Sequence, residues 1–288
     1  MDKKVIIDGV NWFMEPEISN AGLALRIREH LFKKQTPYQL IEIFDTYEYG
    51  RVMTLDQLIM VTARDEYAYH EMLTHVPLLL HPNPRRVLVI GGGDGGTLRE
   101  VVKHPTLEKA VQVEIDAEVV EASQRFFPEL ASAYNHPKVE LVIADAVLWL
   151  KQTSDKFDVV LVDGSDPVGP AVGLFQSSFF ESIKSVLNEG GLMSGQVGSP
   201  FYNLDRCGEV MTQLRNLFPY TGFYTAMIPA YPSGTWGFGM GSKRELSFDR
   251  SSEVRYSTFK GTLKYYNNDI HNGAFLLPEN IKRAVRGN

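Results

Sequence analysis

Val87-Leu88-Val89-Ile90-Gly91-Gly92-Gly93-Asp94-Gly95-Gly96, running into a helical pattern from Thr97 to Lys103, is the stretch on which the fold turns. Four branched apolar residues in a row suit a strand buried on both faces, and the glycines after them suit the tight strand-to-helix turn of a nucleotide-binding βαβ unit. A glycine fingerprint carries weight only in that setting, and a turn needing glycine for backbone geometry alone is the plain competing reading. The same rhythm continues outward. Strands are expected at Val87 to Ile90, Ala110 to Ile115, Val139 to Ile143, Phe157 to Val162, Gly191 to Val197, Gly222 to Ile228 and Trp236 to Met240. Helical patterns fall at Thr97 to Lys103, Ala117 to Phe126, Gln176 to Leu187, Asp205 to Phe218 and, amphipathic and short, Pro278 to Val285. Compact strands alternating with helices predict an α/β fold, a Rossmann-like parallel sheet covered on both faces.

The N-terminal part reads differently. Gln39 to Phe44 and Arg51 to Leu55 are short β-type runs punctuated by Tyr49-Gly50 and Leu55-Asp56, which predicts a small antiparallel sheet. Asp65 is placed to cap a helix through Tyr69 and His70 toward Leu80, bent by Pro77. His81-Pro82-Asn83-Pro84 then divides the chain into a β-rich unit with its connecting helix, 1–80, and a catalytic unit, 81–288.

The chain has 288 residues, 44% apolar and 22% charged, the balance of a globular protein with room for a large core. With 35 acidic residues against 29 basic ones, the net charge of −6 argues against a nucleic-acid partner and favours a cationic one. Cys207 is the single cysteine, so no intrachain disulfide forms, and a reduced, cytoplasmic setting is expected. The first residues lack the apolar stretch of a signal peptide, and no apolar run approaches a membrane span.

Ligands of open α/β sheets bind beyond the carboxyl ends of the strands, and there the acids gather. Glu114 ends the second strand, where such folds place a carboxylate against ribose hydroxyls. Asp94 stands where a dinucleotide site would hold a pyrophosphate, which it would repel; a cation suits it better, unless it merely caps the helix. An adenosyl sulfonium fits the pair. The loop also lacks a basic residue for an amino-acid carboxylate, which favours a decarboxylated ligand ending in an ammonium. Asp145 ends the third strand, suited to the exocyclic amine of adenine or, equally, to capping the next helix.

After the fourth strand comes Asp163-Gly164-Ser165-Asp166-Pro167-Val168-Gly169-Pro170. From Asp145 to Pro170 five acids face two bases, a local net charge of −3 where a ligand should lie. No histidine is near and calcium-loop spacing is lacking, so metal binding is set aside; Asx-turn chemistry stays open for Asp163 and Asp166. The remaining reading is a diamine, with Asp163 taking a proton from one end and Asp166 holding the other. Tyr69, His70 and Tyr231 would add walls for its methylenes and cation–π attraction.

These motifs, with Val113-Glu114-Ile115-Asp116 and Tyr231-Pro232-Ser233-Gly234, resemble the polyamine aminopropyltransferase family of spermidine synthases, and the resemblance runs from Trp12-Phe13 to Leu277-Pro278. It implies a seven-stranded sheet of the S-adenosylmethionine-dependent methyltransferase type with a small N-terminal antiparallel β domain, assembled as a homodimer or homotetramer. It implies transfer of an aminopropyl group from decarboxylated S-adenosylmethionine to putrescine, giving spermidine and methylthioadenosine, with no tightly bound cofactor. By similarity Gln39, Gly91, Gly93, Asp94, Glu114, Asp145, Ala146 and Pro170 would hold the donor. Asp163 would be the proton acceptor beside Tyr69, and His70, Asp166, Tyr231, Trp12, Gln196 and Trp236 would line the amine site. The chain departs from the family pattern at Met60 and Ala63, in place of Gln and Glu, which leaves agmatine, cadaverine or a longer amine open as acceptor. A methyltransferase sharing fold and cofactor class, or a silent nucleoside- or polyamine-binding protein, are the other readings.

Overall fold

A computed structural model describes residues 4–7, 9–18, 21–167 and 169–287. Six strands, β1 (Lys4–Ile7), β2 (Val10–Ile18), β3 (Ala21–Gln35), β4 (Leu40–Thr46), β5 (Gly50–Leu55) and β6 (Leu58–Thr62), form one antiparallel sheet in sequence order. The expected runs at 39–44 and 51–55 are β4 and β5. Before them, β1 to β3 escape the sequence pattern because β3 is largely exposed along both faces and carries no clean alternation. Asp56 and Gln57 turn β5 into β6 with φ of 49° and 65°, the geometry that a two-residue hairpin demands.

The second sheet has seven strands in the order β12-β13-β11-β10-β7-β8-β9. They are β7 (Arg86–Gly91), β8 (Lys109–Glu114), β9 (Val139–Ile143), β10 (Phe157–Asp163), β11 (Leu187–Gly198), β12 (Tyr220–Met227) and β13 (Thr235–Ser242). The first five are parallel, while β13 runs antiparallel to both β11 and β12. This is the expected α/β architecture with its antiparallel β companion. Alternation along β7 explains why the strand reads as uninterrupted apolar: Val87 and Val89 enter the core on one face, Leu88 and Ile90 the core on the other.

The helices are α1 (Glu66–Leu80), α2 (Gly96–Val101), α3 (Ala117–Phe126), α4 (Ala146–Gln152), α5 (Ser177–Val186), α6 (Leu204–Leu217), α7 (Arg250–Phe259), α8 (Asn268–Gly273) and α9 (Glu279–Arg286). Among the described residues no helix is long and apolar enough to cross a membrane. The expected division at residues 80 and 81 falls at the end of α1, which packs on α2, α7 and strands β10 to β12. Asp65 sits at the cap position of α1, but its carboxylate does not cap the helix. It accepts from the Thr62 hydroxyl at 2.6 Å and from the Ala230 N–H at 2.7 Å, tying β6 to the loop after β12.

At the other end of α1, the buried guanidinium of Arg255 donates to the carbonyls of Leu78 (3.0 Å), Leu79 (3.2 Å) and His81 (2.7 Å). It thereby closes off carbonyls that the helix leaves without partners. Replacing it by an isosteric apolar chain, Arg255→Met, should lower stability by about 2–4 kcal/mol, since charged hydrogen bonds to buried groups vanish together. Urea unfolding would show this as a lower midpoint at unchanged slope. An unmoved midpoint would refute this role for Arg255.

Candidate active site

Strand order reverses between β7 and its neighbours β8 and β10, and the crevice that this opens holds a cavity of about 1000 Å³, its open mouth included. The large sheet supplies its floor through Gly91, Gly92, Gly93, Asp94, Glu114, Asp145, Ala146 and Asp163. From the other side the N-terminal sheet covers it with Gln39, Met53, Leu55 and Met60.

Turn geometry and crowding both call for the glycines: Gly91, Gly92 and Gly95 have φ of 77°, 68° and 84°, and neighbouring groups leave no room for side chains. A Cβ on Gly91 would collide with the Asp163 carbonyl, one on Gly92 would lie 2.7 Å from Asp163 Oδ2, and one on Gly93 would lie 3.0 Å from Glu114 Oε2. At Gly96 the Cβ position is already taken by the imidazole ring of His70. Gln112, buried in β8, fixes the loop by donating to the carbonyls of Gly91 (2.7 Å) and Gly92 (2.6 Å).

Asp163 is held on both oxygens. The Tyr69 hydroxyl donates to Oδ1 at 2.8 Å and the Thr97 hydroxyl to Oδ2 at 2.6 Å. Burial pushes its carboxyl up, and the Asp94 charge pushes the same way, while His70 and the two hydroxyls pull back. Tyr69 is raised well above the phenol range by burial and by Asp163, so it stays a donor. Asp94 goes in the opposite direction from Asp163. Burial favours its neutral form, but His70 and the Gly96 N–H, 2.7 Å from Oδ1, outweigh burial and hold the carboxyl below its ordinary value. Burial also pushes Glu114 up to about 7.

Gln39 reaches the cavity because its amide donates to Asp116 at 3.1 Å, an acid that also receives the Thr36 hydroxyl at 2.7 Å and caps α3. Asp145 caps α4 through the N–H groups of Val147 (2.7 Å) and Leu148 (3.3 Å), and still lines the cavity. Capping and a place on the cavity wall thus coexist in this residue. Pro170 lies in a 3-10 turn, Gly169–Phe175, and its side chain is outside the described residues.

A second cavity of about 460 Å³ adjoins the first, and Met60, Tyr69, Gly164, Ser165 and Tyr231 line both. Asp166, Gln196 and Trp236 line it, joined by Glu15. Tyr231 lies between the rings of Trp236 at 4.7 Å and Tyr69 at 5.6 Å, and its hydroxyl donates to the Met60 carbonyl at 2.5 Å. Among the described residues, the buried Trp236 indole nitrogen and Gln196 Oε1 on this wall make no hydrogen bond.

Two residues depart from expectation. His70 lines neither cavity; it is buried behind Asp94, its Nε2 3.3 Å from Asp94 Oδ1 and its Nδ1 2.7 Å from Glu66. Trp12 also lines neither, standing in β2 opposite Val5 and Arg26. Asp166 is not waiting alone, being 3.2 Å from Arg206. Of the two departures from the family pattern, Met60 faces both cavities, whereas Ala63 is exposed and lines neither. Thr97, Glu15, Arg206 and Asp116 escaped the sequence reading, and only Asp116 carried a signal, its place beside Glu114.

Known proteins resemble this chain along nearly its whole length. Residues 66–251 match the spermine/spermidine synthase domain and residues 11–63 the spermidine synthase tetramerisation domain. A polyamine aminopropyltransferase of Caldicellulosiruptor bescii is 42% identical over 277 residues, covering 96% of this chain and 98% of the relative. One from Desulforudis audaxviator is 43% identical over 275 residues, covering 96% and 99%. Among solved structures, a spermidine synthase in complex with the transition-state analogue AdoDATO superposes with a TM-score of 0.91 at 36% identity, and that from Thermotoga maritima with 0.88 at 35%. Each covers 96% of this chain and is itself covered to 94%.

Proposed function

The chain belongs to the spermine/spermidine synthase family, and on that premise we propose that it moves the aminopropyl group of decarboxylated S-adenosylmethionine onto putrescine, giving spermidine and methylthioadenosine. The observation that carries this reading is the junction of the two cavities. Asp163 lines the larger one, while its neighbours Gly164 and Ser165 and its hydrogen-bond partner Tyr69 line both. A base at such a seam is in reach of a nucleophile on one side and an electrophilic carbon on the other.

In the larger cavity Glu114 receives the ribose hydroxyls, Gln39 and the Asp145-Ala146 turn receive the nucleoside, and Asp94 receives the propylammonium. In the smaller cavity the acceptor lies along Tyr231 and Trp236 with its distal ammonium toward Asp166. An alkylammonium has a pKa of about 10.4, so exposing its lone pair at neutral pH costs roughly 4–5 kcal/mol. Asp163, its carboxyl raised by burial, takes that proton as the amine approaches. The new N–C bond forms as the C–S bond breaks. Methylthioadenosine leaves as a neutral thioether that needs no acid, and the proton passes from Asp163 to solvent. The match of residues 11–63 to a tetramerisation domain supports a homo-oligomer, dimer or tetramer.

Incubation with the decarboxylated donor and separate samples of putrescine, agmatine, cadaverine and spermidine, read by mass spectrometry, tests the proposal. Equimolar methylthioadenosine and spermidine from putrescine are expected. Turnover of S-adenosylmethionine to S-adenosylhomocysteine instead would point to methyl transfer, and a strong preference for another amine would displace putrescine as the acceptor.

A further inference from the structure

Behind the cavity wall, α1 and α2 bury a row of alternating charges that the reaction as proposed does not use. Asp94 faces His70 Nε2 at 3.3 Å, and His70 Nδ1 faces Glu66 Oε2 at 2.7 Å. Arg99 grips both oxygens of Glu66, at 3.0 and 2.8 Å, and is itself held by Glu100 at 2.7 Å. Glu66, His70 and Glu100 are all buried, so the row forms one rigid unit with Arg99 as its half-buried cation. Gly96 leaves the space in which the imidazole lies.

We propose that the Glu66–Arg99 pair is a positioning clamp for His70, which through its contact keeps Asp94 the charged carboxylate of the cleft and leaves Asp163 as the one that takes the proton. The inference rests on the roles given above to Asp94 and Asp163. The titratable and charged groups facing this unit are Tyr69 and His75 from α1, Lys103 from α2, Asp65 just after β6, Asp163 at the end of β10, Tyr134 from the turn before β9 and Tyr231 from the loop after β12. Two carboxylates in one dry cleft oppose each other's charge, so unlike roles need an external bias. A cation beside only one of them supplies it. Burial works against a charged His70, yet Asp94 and Glu66 together drive its pKa well above the imidazole range. Burial likewise opposes charge on Glu66, but His70 and Arg99 bring that carboxyl down to about 2.

Removing the Glu66 charge takes away one of the two anions that hold the imidazolium, so His70 gives up its proton at a lower pH than before, and wherever it does, the loss of that cation raises the pKa of both nearby carboxyls. More of the cleft is then protonated at a given pH, so the acid limb of activity moves upward. In Glu66→Gln, the acid limb of kcat/KM for the decarboxylated donor is expected to rise by about one pH unit. The rate should climb back toward wild type above that limb. Affinity for methylthioadenosine, which has no ammonium to offer Asp94, should stay within about twofold by calorimetry. A rate lowered by one factor at every pH, or an equal loss of methylthioadenosine binding, would mark Glu66 as purely structural and overturn the clamp. Should Glu66→Gln not fold, Arg99→Gln, which takes the competing cation from Glu66 and leaves that carboxylate to His70 alone, is expected to strengthen the imidazolium and shift the limb the opposite way by a smaller amount, and an upward shift there is equally fatal. Asp94→Asn separates the two levels of argument. If it leaves donor affinity unchanged, the role of Asp94 falls and the clamp with it; if it weakens the donor while neither clamp variant moves the acid limb, the clamp alone falls.

Discussion

Asp163→Asn is expected to lower kcat by about three orders of magnitude, within the 10²- to 10⁴-fold range of a positioned general base, while methylthioadenosine binds within about twofold of wild type. The substitution is nearly isosteric, and the carbonyl oxygen of Asn can still accept from Tyr69, which donates to Asp163 at 2.8 Å. What disappears is the proton acceptor at the seam of the two cavities. The remaining reaction then depends on amine that arrives already deprotonated, a fraction that grows roughly tenfold per pH unit below a pKa of about 10.4. Single-turnover rates from pH 7 to 9.5 should therefore rise steeply in the variant, although the wild type levels off above its acid limb. A variant rate within tenfold of wild type and flat with pH would remove Asp163 from the role of base.

Asp94→Asn should weaken the decarboxylated donor by about a hundredfold or more, because an ammonium held in a dry site loses a charge-assisted partner. The carboxylate is held ready, its Oδ1 on the Gly96 N–H at 2.7 Å and near His70 at 3.3 Å. Methylthioadenosine offers no cation, so its affinity should be unchanged. Calorimetry with both ligands separates the effects. Equal losses for the two would mean that Asp94 supports the loop and not the ammonium.

The parts of this molecule that can be read from sequence are those written in local patterns. Strand β9 and helix α3 fall where their periodicity puts them, and β7 announces itself by branched residues that serve two cores at once. Strand β3 does not, because a strand exposed along most of both faces leaves no alternation to detect. In the site, the acids at strand ends were visible because topology alone sends them to the crevice. Their holders were not. Thr97 binds Asp163 across 66 residues, Thr36 reaches Asp116 across 80, and neither pairing leaves a trace in neighbouring residues. His70 shows a related limit: on α1 it is next to Tyr69, but successive residues of a helix point about 100° apart, so one faces the cavity and the other turns behind Asp94.

Met60, Tyr69 and Tyr231 line both cavities, so whatever fills one compartment touches part of the wall of the other. The occupants are then thermodynamically linked without any change of fold. Whatever factor an amine applies to the affinity of the nucleoside, the nucleoside must apply to the amine, since the cycle of the four ligation states closes. Met60, where the family pattern has a polar amide, gives that shared wall an apolar surface toward both cavities.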